Sequence, residues 1–508
     1  MPIIKLPDVG KGLNLDLSPE ELQVGTWSNV SNMRFINGYA SKFKGMARVF
    51  NAPSITPLFI APFQKASSRF WVHAGTNQVF VDDGTTRTEI TPTSAPTGGS
   101  DDRWSSASFG GILVMTNGKD VPYFWNGNVA TDLAALTNWD TNERCASIHA
   151  FKSYLVALDI TKTSTRYPYM VKWSHAAVPG ALPDSWDETA VTKDAGEQDL
   201  AETPDLIVDA LPLGDSLVIY KERSAYAMRF IGQPFIFQFQ RLPGEYGMLA
   251  KGCGAVTPKG HVVLSAGDVI LNTGQGMQSI CDGVIRRYIF NNIDSTNYKR
   301  AFVCTNPQRN EVLVCFPFNG SSYCDKAAVW NWETGAWSLR DLTNATYGAA
   351  GLISFEIART WATDPENWGD DSTTWNENEY SPNEARLLIS TSSEIRAFDV
   401  GSTDGGSSFT GVLERTGISL DEGNTNKLIR AVYPRIDATG DTPIQIQVGA
   451  SMYPDQAVSW SPAVTFKVGR DIKADTFAQG RYLAIRITGT NAYRVRSLDM
   501  DIVPTGAF

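Results

Sequence analysis

Charge is scarce in this chain. Asp, Glu, Lys and Arg make up 19% of its 508 residues, against about 25% in an average soluble protein, so neither an extended disordered chain nor a coiled coil is expected. Histidine is scarcer still, at four residues, and each of the four stands without a His, Cys or carboxylate at ligand or triad spacing. The six cysteines, from Cys145 to Cys324, include no CxxC pair, and Cys315 and Cys324 are too far apart for a zinc knuckle. Free buried thiols and no metal are expected. No G-x-S-x-G, H-E-x-x-H or GKS/T string occurs, which removes the sequence basis for a hydrolase elbow, a zincin or a P-loop. No apolar run approaches the roughly 20 residues of a membrane span, and the opening MPIIKLPDVGKGLNLDLSPEE is not a basic segment followed by an apolar one. A soluble protein made in a cytoplasm is the expectation.

Basic residues are also outnumbered, 44 against 54 acidic ones, for a formal charge of −10. Such a surface repels phosphate and lacks the counterion-release term of ordinary nucleic-acid binding.

What is present is a degenerate β repeat. Pairs of apolar strands joined by Gly-, Asn- or Asp-rich turns begin at Arg69, Gly111, Ser153, Asp215, Gly260, Asn310 and Ala385, separated by 42, 42, 62, 45, 50 and 75 residues. The four shortest gaps lie near the 40–50 residues of a four-stranded propeller blade. Val, Ile, Tyr, Phe and Trp dominate the runs, as half-buried pleated strands require. The expected fold is all-β: a β-propeller of six to eight blades, seven by hairpin count, with an irregular sandwich array as the competing arrangement. Helices are expected to be few and short, the best candidate being Ser18–Leu22 with Ser18 as cap, Pro19 at the first position and Glu21 completing a capping box. From about Gly405 the period is lost, and regular strands such as RYLAIRITG, alternating at Leu483, Ile485 and Ile487, predict an antiparallel β-sandwich. The expected division is 1–50, an extended segment tied into an assembly; 51–404, the propeller; and 405–508, the sandwich. Residues 174–206 and 359–384, acidic and bearing Trp, are expected as insertions offering interface anchors.

Few strings suggest chemistry. NTGQGMQ at Asn272 reads as a hairpin turn. The adjacent pairs Asp82–Asp83, Asp101–Asp102 and Asp370–Asp371 point to opposite sides of an extended chain and read as solvated turns. Ser402, Asp404, Gly406, Ser408 and Phe409 resemble one copy of the Asp-box turn of sialidase-type propellers, where it marks a hairpin. A sialidase-like glycoside hydrolase or a glycan-binding propeller is therefore the alternative function.

The segment GLNLDLSPEELQVGTWSNVSNMRFINGYASKFKGMARVF, through Gly25, Asn29, Asn32, Arg34, Phe35, Gly38, Lys42 and Gly45, resembles the opening of podovirus-type phage tail hub or nozzle proteins, including the P22-like packaged-DNA stabilisation proteins and those like tail tubular protein B. The carboxyl end is similar too. The resemblance implies a non-enzymatic virion protein of the tail, assembled in the host bacterial cytoplasm, without cofactor. Six copies would form a ring below the head–tail adaptor protein, touching tail needle, fibre or spike proteins, with viral dsDNA held in and later ejected through the lumen. It marks Asn32, Phe35, Gly38 and Gly45 as fold-marking residues and assigns no catalytic, cofactor or metal position. A ring of six would carry about −60, letting DNA slide without neutralising its phosphates.

Overall fold

The computed structural model describes residues 3–6, 8–178, 180–353, 385–420, 425–454 and 456–507. The fold is all-β, with 51% strand and 3% helix. Between Phe59 and Ser279 the chain forms five consecutive four-stranded antiparallel sheets, each a simple meander. A seven-stranded sheet follows, built around the long strand Trp337–Gly351. The first half of that strand pairs with Cys324–Asn331 and the second half with Arg386–Thr391, the register shifting near Ala345. One strand thus ends one four-stranded unit and begins the next.

Every repeat seen in the sequence is the middle pair of such a unit. Ser68–Ala74 with Val79–Asp82, and Ile112–Thr116 with Tyr123–Trp125, are the central strands of the first two sheets. Several middle strands are buried on both faces; Ile112–Thr116 and Gly260–Leu264 are buried throughout. Among the outermost strands Ala134–Ala135 is exposed and Gly196–Asp199 is polar.

The first fifty residues do not stand apart. Asn29–Ser31 pairs with Gly411–Ile418, the hairpin Met33–Ile36 and Tyr39–Lys42 pairs with Arg494–Ala507, and Met46–Arg48 pairs with Ile395–Phe398 as the last strand of the seven-stranded sheet. Asn37 and Gly38 turn that hairpin with φ of 51° and 81°, the two left-handed positions of an Asn-Gly type I′ turn. Two six-stranded sheets carry the carboxyl-terminal strands. Ile429, Val432 and Met500 of one share a hydrophobic core with Ile446, Leu483 and Ile485 of the other.

Several local expectations change. Pro19–Glu21 is a single 3-10 turn, and Ser18 makes no side-chain cap. The one α-helix described, Arg286–Asn292, lacks a side-chain cap of its own; Asp16 accepts from the amides of Arg286 and Arg287, at 3.0 and 3.1 Å, across 270 positions. Trp186, in the 174–206 segment, is 3% exposed and meets Trp139 edge-on at 4.6 Å, so it is a packing anchor rather than an interface residue. That segment also supplies Gly196–Asp199, the fourth strand of the third sheet. The 359–384 segment and Asp370–Asp371 lie outside the described residues.

Candidate functional site

Two places gather charge away from water. The first holds the fold-marking residues. Asn32 has φ of 57° and is 3% exposed, a conformation Asn tolerates better than most residues. Its Oδ1 accepts from Arg340 Nη1 at 2.8 Å and from the Asp341 amide at 2.9 Å, while its Nδ2 donates to Asp341 Oδ2 at 2.8 Å and to the Thr410 carbonyl at 3.0 Å. All four hydrogen-bonding sites of this amide group lead to groups at least 308 positions away. Arg340, wholly buried, turns its other nitrogen to both oxygens of Asp404, at 2.6 and 2.8 Å, and lies 4.1 Å over the Phe409 ring. Asp404 and Phe409 come from the Asp-box-like string, which therefore serves the same junction. Lys42 caps the Phe409 ring at 3.6 Å. Burial, then the nearby Arg340 charge, lowers its ammonium to about 8.

Gly45 closes the junction. Its amide donates to the Gly401 carbonyl at 2.7 Å, and a Cβ there would meet the Thr403 carbonyl oxygen at 2.2 Å. Phe35 is core, 3% exposed, and Gly38 is the turn. Asn32 and Gly45 thus meet at one locus, while Phe35 and Gly38 shape the hairpin between them. Arg34 adds a second buried knot: its Nη2 lies 3.0 Å from Glu311 and 2.6 Å from Asp399. Burial, opposed by Arg34 and reinforced by Asp399, pushes the Glu311 carboxyl up to about 7.

The second place is a cavity of about 400 Å3 where the first strands of all the four-stranded units converge. Residues 59–62, 104–106, 209–212, 303–305 and 347–350 line it, with His149 and Lys251. Side chains brace units that are not neighbours in the chain. Lys251 Nζ donates to the Arg103 carbonyl at 2.7 Å and to the Ala146 carbonyl; Arg103 Nη1 donates to the Thr346 carbonyl at 3.1 Å; Arg300 Nε donates to Asp101 at 2.7 Å. Asp209 lies 2.9 Å from His149 Nε2 and accepts the Gly252 amide at 3.1 Å. Burial alone would raise the Asp209 carboxyl, but His149, Lys251 and that amide hold it below its ordinary value. Burial lowers the Lys251 ammonium.

The histidines are not solitary in space. His73 lies 3.3 Å from Asp82, and His175 lies 3.7 Å from Asp194. Sequence spacing could not reveal these partners, because each comes from another strand or a returning loop. His73 and His261 are fully buried, and burial lowers His73 to about 3. Asp82, read as half of a solvated turn, is instead 4% exposed, and burial lifts it to about 6 against the pull of Arg87. Its neighbour Asp83 does form the turn, accepting from Thr85 and Thr86. Asp101 and Asp102 are likewise engaged, by Arg300 and by Lys119. Asn272–Gly276 is a hairpin turn closed by the Thr273 amide on the Gly276 carbonyl. All six cysteines are free and buried. Among the described residues no His, Cys, Asp or Glu cluster could hold a metal ion, and no helix is long and apolar enough to cross a membrane.

No protein-family profile and no curated protein matches the chain. Solved structures similar to it include the WD40 β-propeller domain of Doa1, at 11% identity and a TM-score of 0.35, and YCF48 bound to a D1 peptide, at 10% and 0.36. BBS1N in complex with ARL6DN aligns at 12% and 0.38. In each case the match covers 70% of this chain and 97% of the other.

Proposed function

We propose that the chain is a structural subunit of a bacteriophage tail, a hub or nozzle protein of six copies per ring below the head–tail adaptor, in whose lumen the dsDNA genome is retained and then released. In this reading the four-stranded units are the blades of a seven-bladed β-propeller, Met46–Arg48 supplies the closing strand of the last blade, and the two six-stranded sheets form a C-terminal β-sandwich. The role is mechanical, without catalysis.

One observation carries the proposal. Four of the residues on which the family resemblance rests lie at the junction of the seven-stranded sheet with the carboxyl-terminal sheets: Asn32 bonds to Asp341 of the former and to the Thr410 carbonyl just before the latter, Arg34 to Glu311 and Asp399, Lys42 to the Thr490 carbonyl, and Gly45 to the Gly401 carbonyl between them. A motif of fold-welding residues fits a part that transmits load. The acidic balance of −10 per chain supports a lumen that DNA passes without adhering. The axial cavity is bridged by side chains from opposite units, so the DNA path in this reading is the centre of the ring and not the bore of one propeller.

The test is the copy number of the chain in purified particles of the phage that encodes it, by quantitative mass spectrometry against the portal protein, with cryo-EM of the tail. Six copies for twelve portal subunits, in a ring on the tail axis, is the expected result. Absence from the particle overturns the proposal.

A further inference from the structure

The fourth four-stranded sheet carries an exposed apolar turn. Its last hairpin pairs Ala225–Phe230 with Phe237–Arg241, and the Ile231 amide closes the turn on the Ile236 carbonyl at 3.1 Å. At the turn Phe235 is 72% exposed and Ile231 52%. Single apolar side chains are common on surfaces, but this turn stands on a packed aromatic base. The Phe230 ring lies 5.9 Å from Tyr154 and 6.0 Å from Phe237, and Phe237 meets Trp173 edge-on at 5.5 Å. A turn anchored in this way loses little freedom on docking. The hairpin, 225–241, contains Arg229 and Arg241 and no Asp or Glu. Both arginines are exposed, and neither forms an ion pair among the described residues. The one carboxylate bonded to the turn among the described residues, Asp194, accepts from Gln233 Nε2 at 3.3 Å and lies 3.7 Å from His175.

Elsewhere on the same chain an apolar pocket of about 360 Å3 lies between the first fifty residues and the carboxyl-terminal sheets, lined by Leu22, Val24, Trp27, Ile418 and Ile485. Its charged lining residues are Asp8, Glu20 and Arg415, a balance of −1. Arg415 spends its guanidinium on the Pro19, Thr416 and Leu22 carbonyls, the last two at 2.9 and 2.8 Å. An apolar turn beside two unpaired arginines and an apolar pocket with two carboxylates in its lining are complementary in hydrophobicity and in sign. We propose that the 231–235 turn of one copy docks in this pocket of a second copy. Turn and pocket are different patches of one chain, so the contact is head-to-tail and repeats around a ring or along a filament. The inference rests on the ring reading above for closure at six copies, and it adds the surfaces that meet.

The experiment measures self-association of the full-length chain by sedimentation velocity and native mass spectrometry. Wild type is expected to assemble at micromolar concentration. Phe235→Asp and Val24→Arg change side chains 72% and 57% exposed, so each should fold as wild type does. Each should weaken association by about tenfold or more, while Ile472→Asp, at a side chain 83% exposed and outside both patches, leaves it unchanged. Mixing the first two variants decides the pairing. Val24→Arg keeps its turn and Phe235→Asp keeps its pocket, so the mixture should give a 1:1 dimer and nothing larger. A mixture that stays monomeric, or assembly indifferent to both substitutions, overturns the proposal. Wild-type chain that is monomeric at submillimolar concentration also overturns it and leaves turn and pocket to other partners. Copy number in the particle is read separately: six copies per tail with assembly indifferent to Phe235→Asp removes the interface and keeps the tail reading, and a mixed dimer from a chain absent from the particle does the reverse.

Discussion

Asn32 and Arg340 lie 308 positions apart, yet Arg340 Nη1 donates to Asn32 Oδ1 at 2.8 Å, with Asp341 completing the clasp on the same amide side chain. The contact joins a turn of the first fifty residues to the long strand shared by two units of the seven-stranded sheet. Through Arg340 it continues to Asp404, where the chain enters its carboxyl-terminal sheets.

Asn32→Ala leaves a fully buried guanidinium short of an acceptor and places a Cβ-bearing residue without side-chain help at φ of 57°. Unsatisfied buried polar groups cost about 1–3 kcal/mol, more when charged, and the backbone penalty adds about 1 kcal/mol. The expected loss is about 3 kcal/mol in urea-induced unfolding. Asn32→Gly should recover only the backbone share, so a full recovery would show that the clasp contributes nothing.

Gly45→Ala drives a methyl group against the Thr403 carbonyl at 2.2 Å, a backbone atom that cannot swing aside. Gly276→Ala meets nothing within 4 Å. Thermal unfolding should place the first variant well below wild type, by at least about 2 kcal/mol in line with overpacking costs, and the second within about 0.5 kcal/mol of it. Equal midpoints for the two would contradict the packing described here.

Glu311 gives stability a pH dependence with a defined sign. Its carboxyl, raised to about 7 in the folded chain by burial, binds its proton more tightly than in the unfolded chain. Its contribution is therefore fully present below the ordinary glutamate value of about 4.3 and is lost as pH rises through about 7. Glu311→Gln does not titrate, so the stability of that variant relative to wild type should improve between pH 5 and pH 8. Denaturation curves at the two values measure the change, and a shift in the opposite direction refutes the assignment.

Trp186→Ala empties a buried site against Trp139 and should cost about 3–5 kcal/mol, the usual range for a core aromatic. Because the indole is buried, the variant, where it folds, should assemble as wild type does. Native mass spectrometry showing lost assembly with unchanged stability would restore Trp186 as an interface residue.

Deleting the strand Met46–Arg48 strips the partner described on the outer side of Ile395–Phe398 and exposes its ladder of amides and carbonyls. Chains starting at residue 51 also lose the clasp on Arg340. They are expected to be insoluble or to aggregate, as read by sedimentation. A soluble monomer with the wild-type unfolding midpoint would show that pairing by this strand is dispensable.

The amino-acid sequence by itself determined the all-β class, the seven hairpins and the carboxyl-terminal strands. Central strands buried on both faces, such as Ile112–Thr116 and Gly260–Leu264, read as continuous apolar runs bounded by turn residues, a purely local signal. The first strands of each unit were harder to see, because those lining a narrow cavity mix Ser, Ala, Gly and His with apolar residues, and the outermost strands are too short and polar to stand out. The sequence also marked Asn32 and Gly45 without saying what they do. Only the tertiary structure decided that the first fifty residues join three sheets of their own chain, that Trp186 and Asp82 are buried, and that His149 has Asp209 beside it. Strand pairing and ion pairing depend on which segments return to the same point in space. Contacts across 270 or 308 positions leave no periodicity along the chain from which to read them.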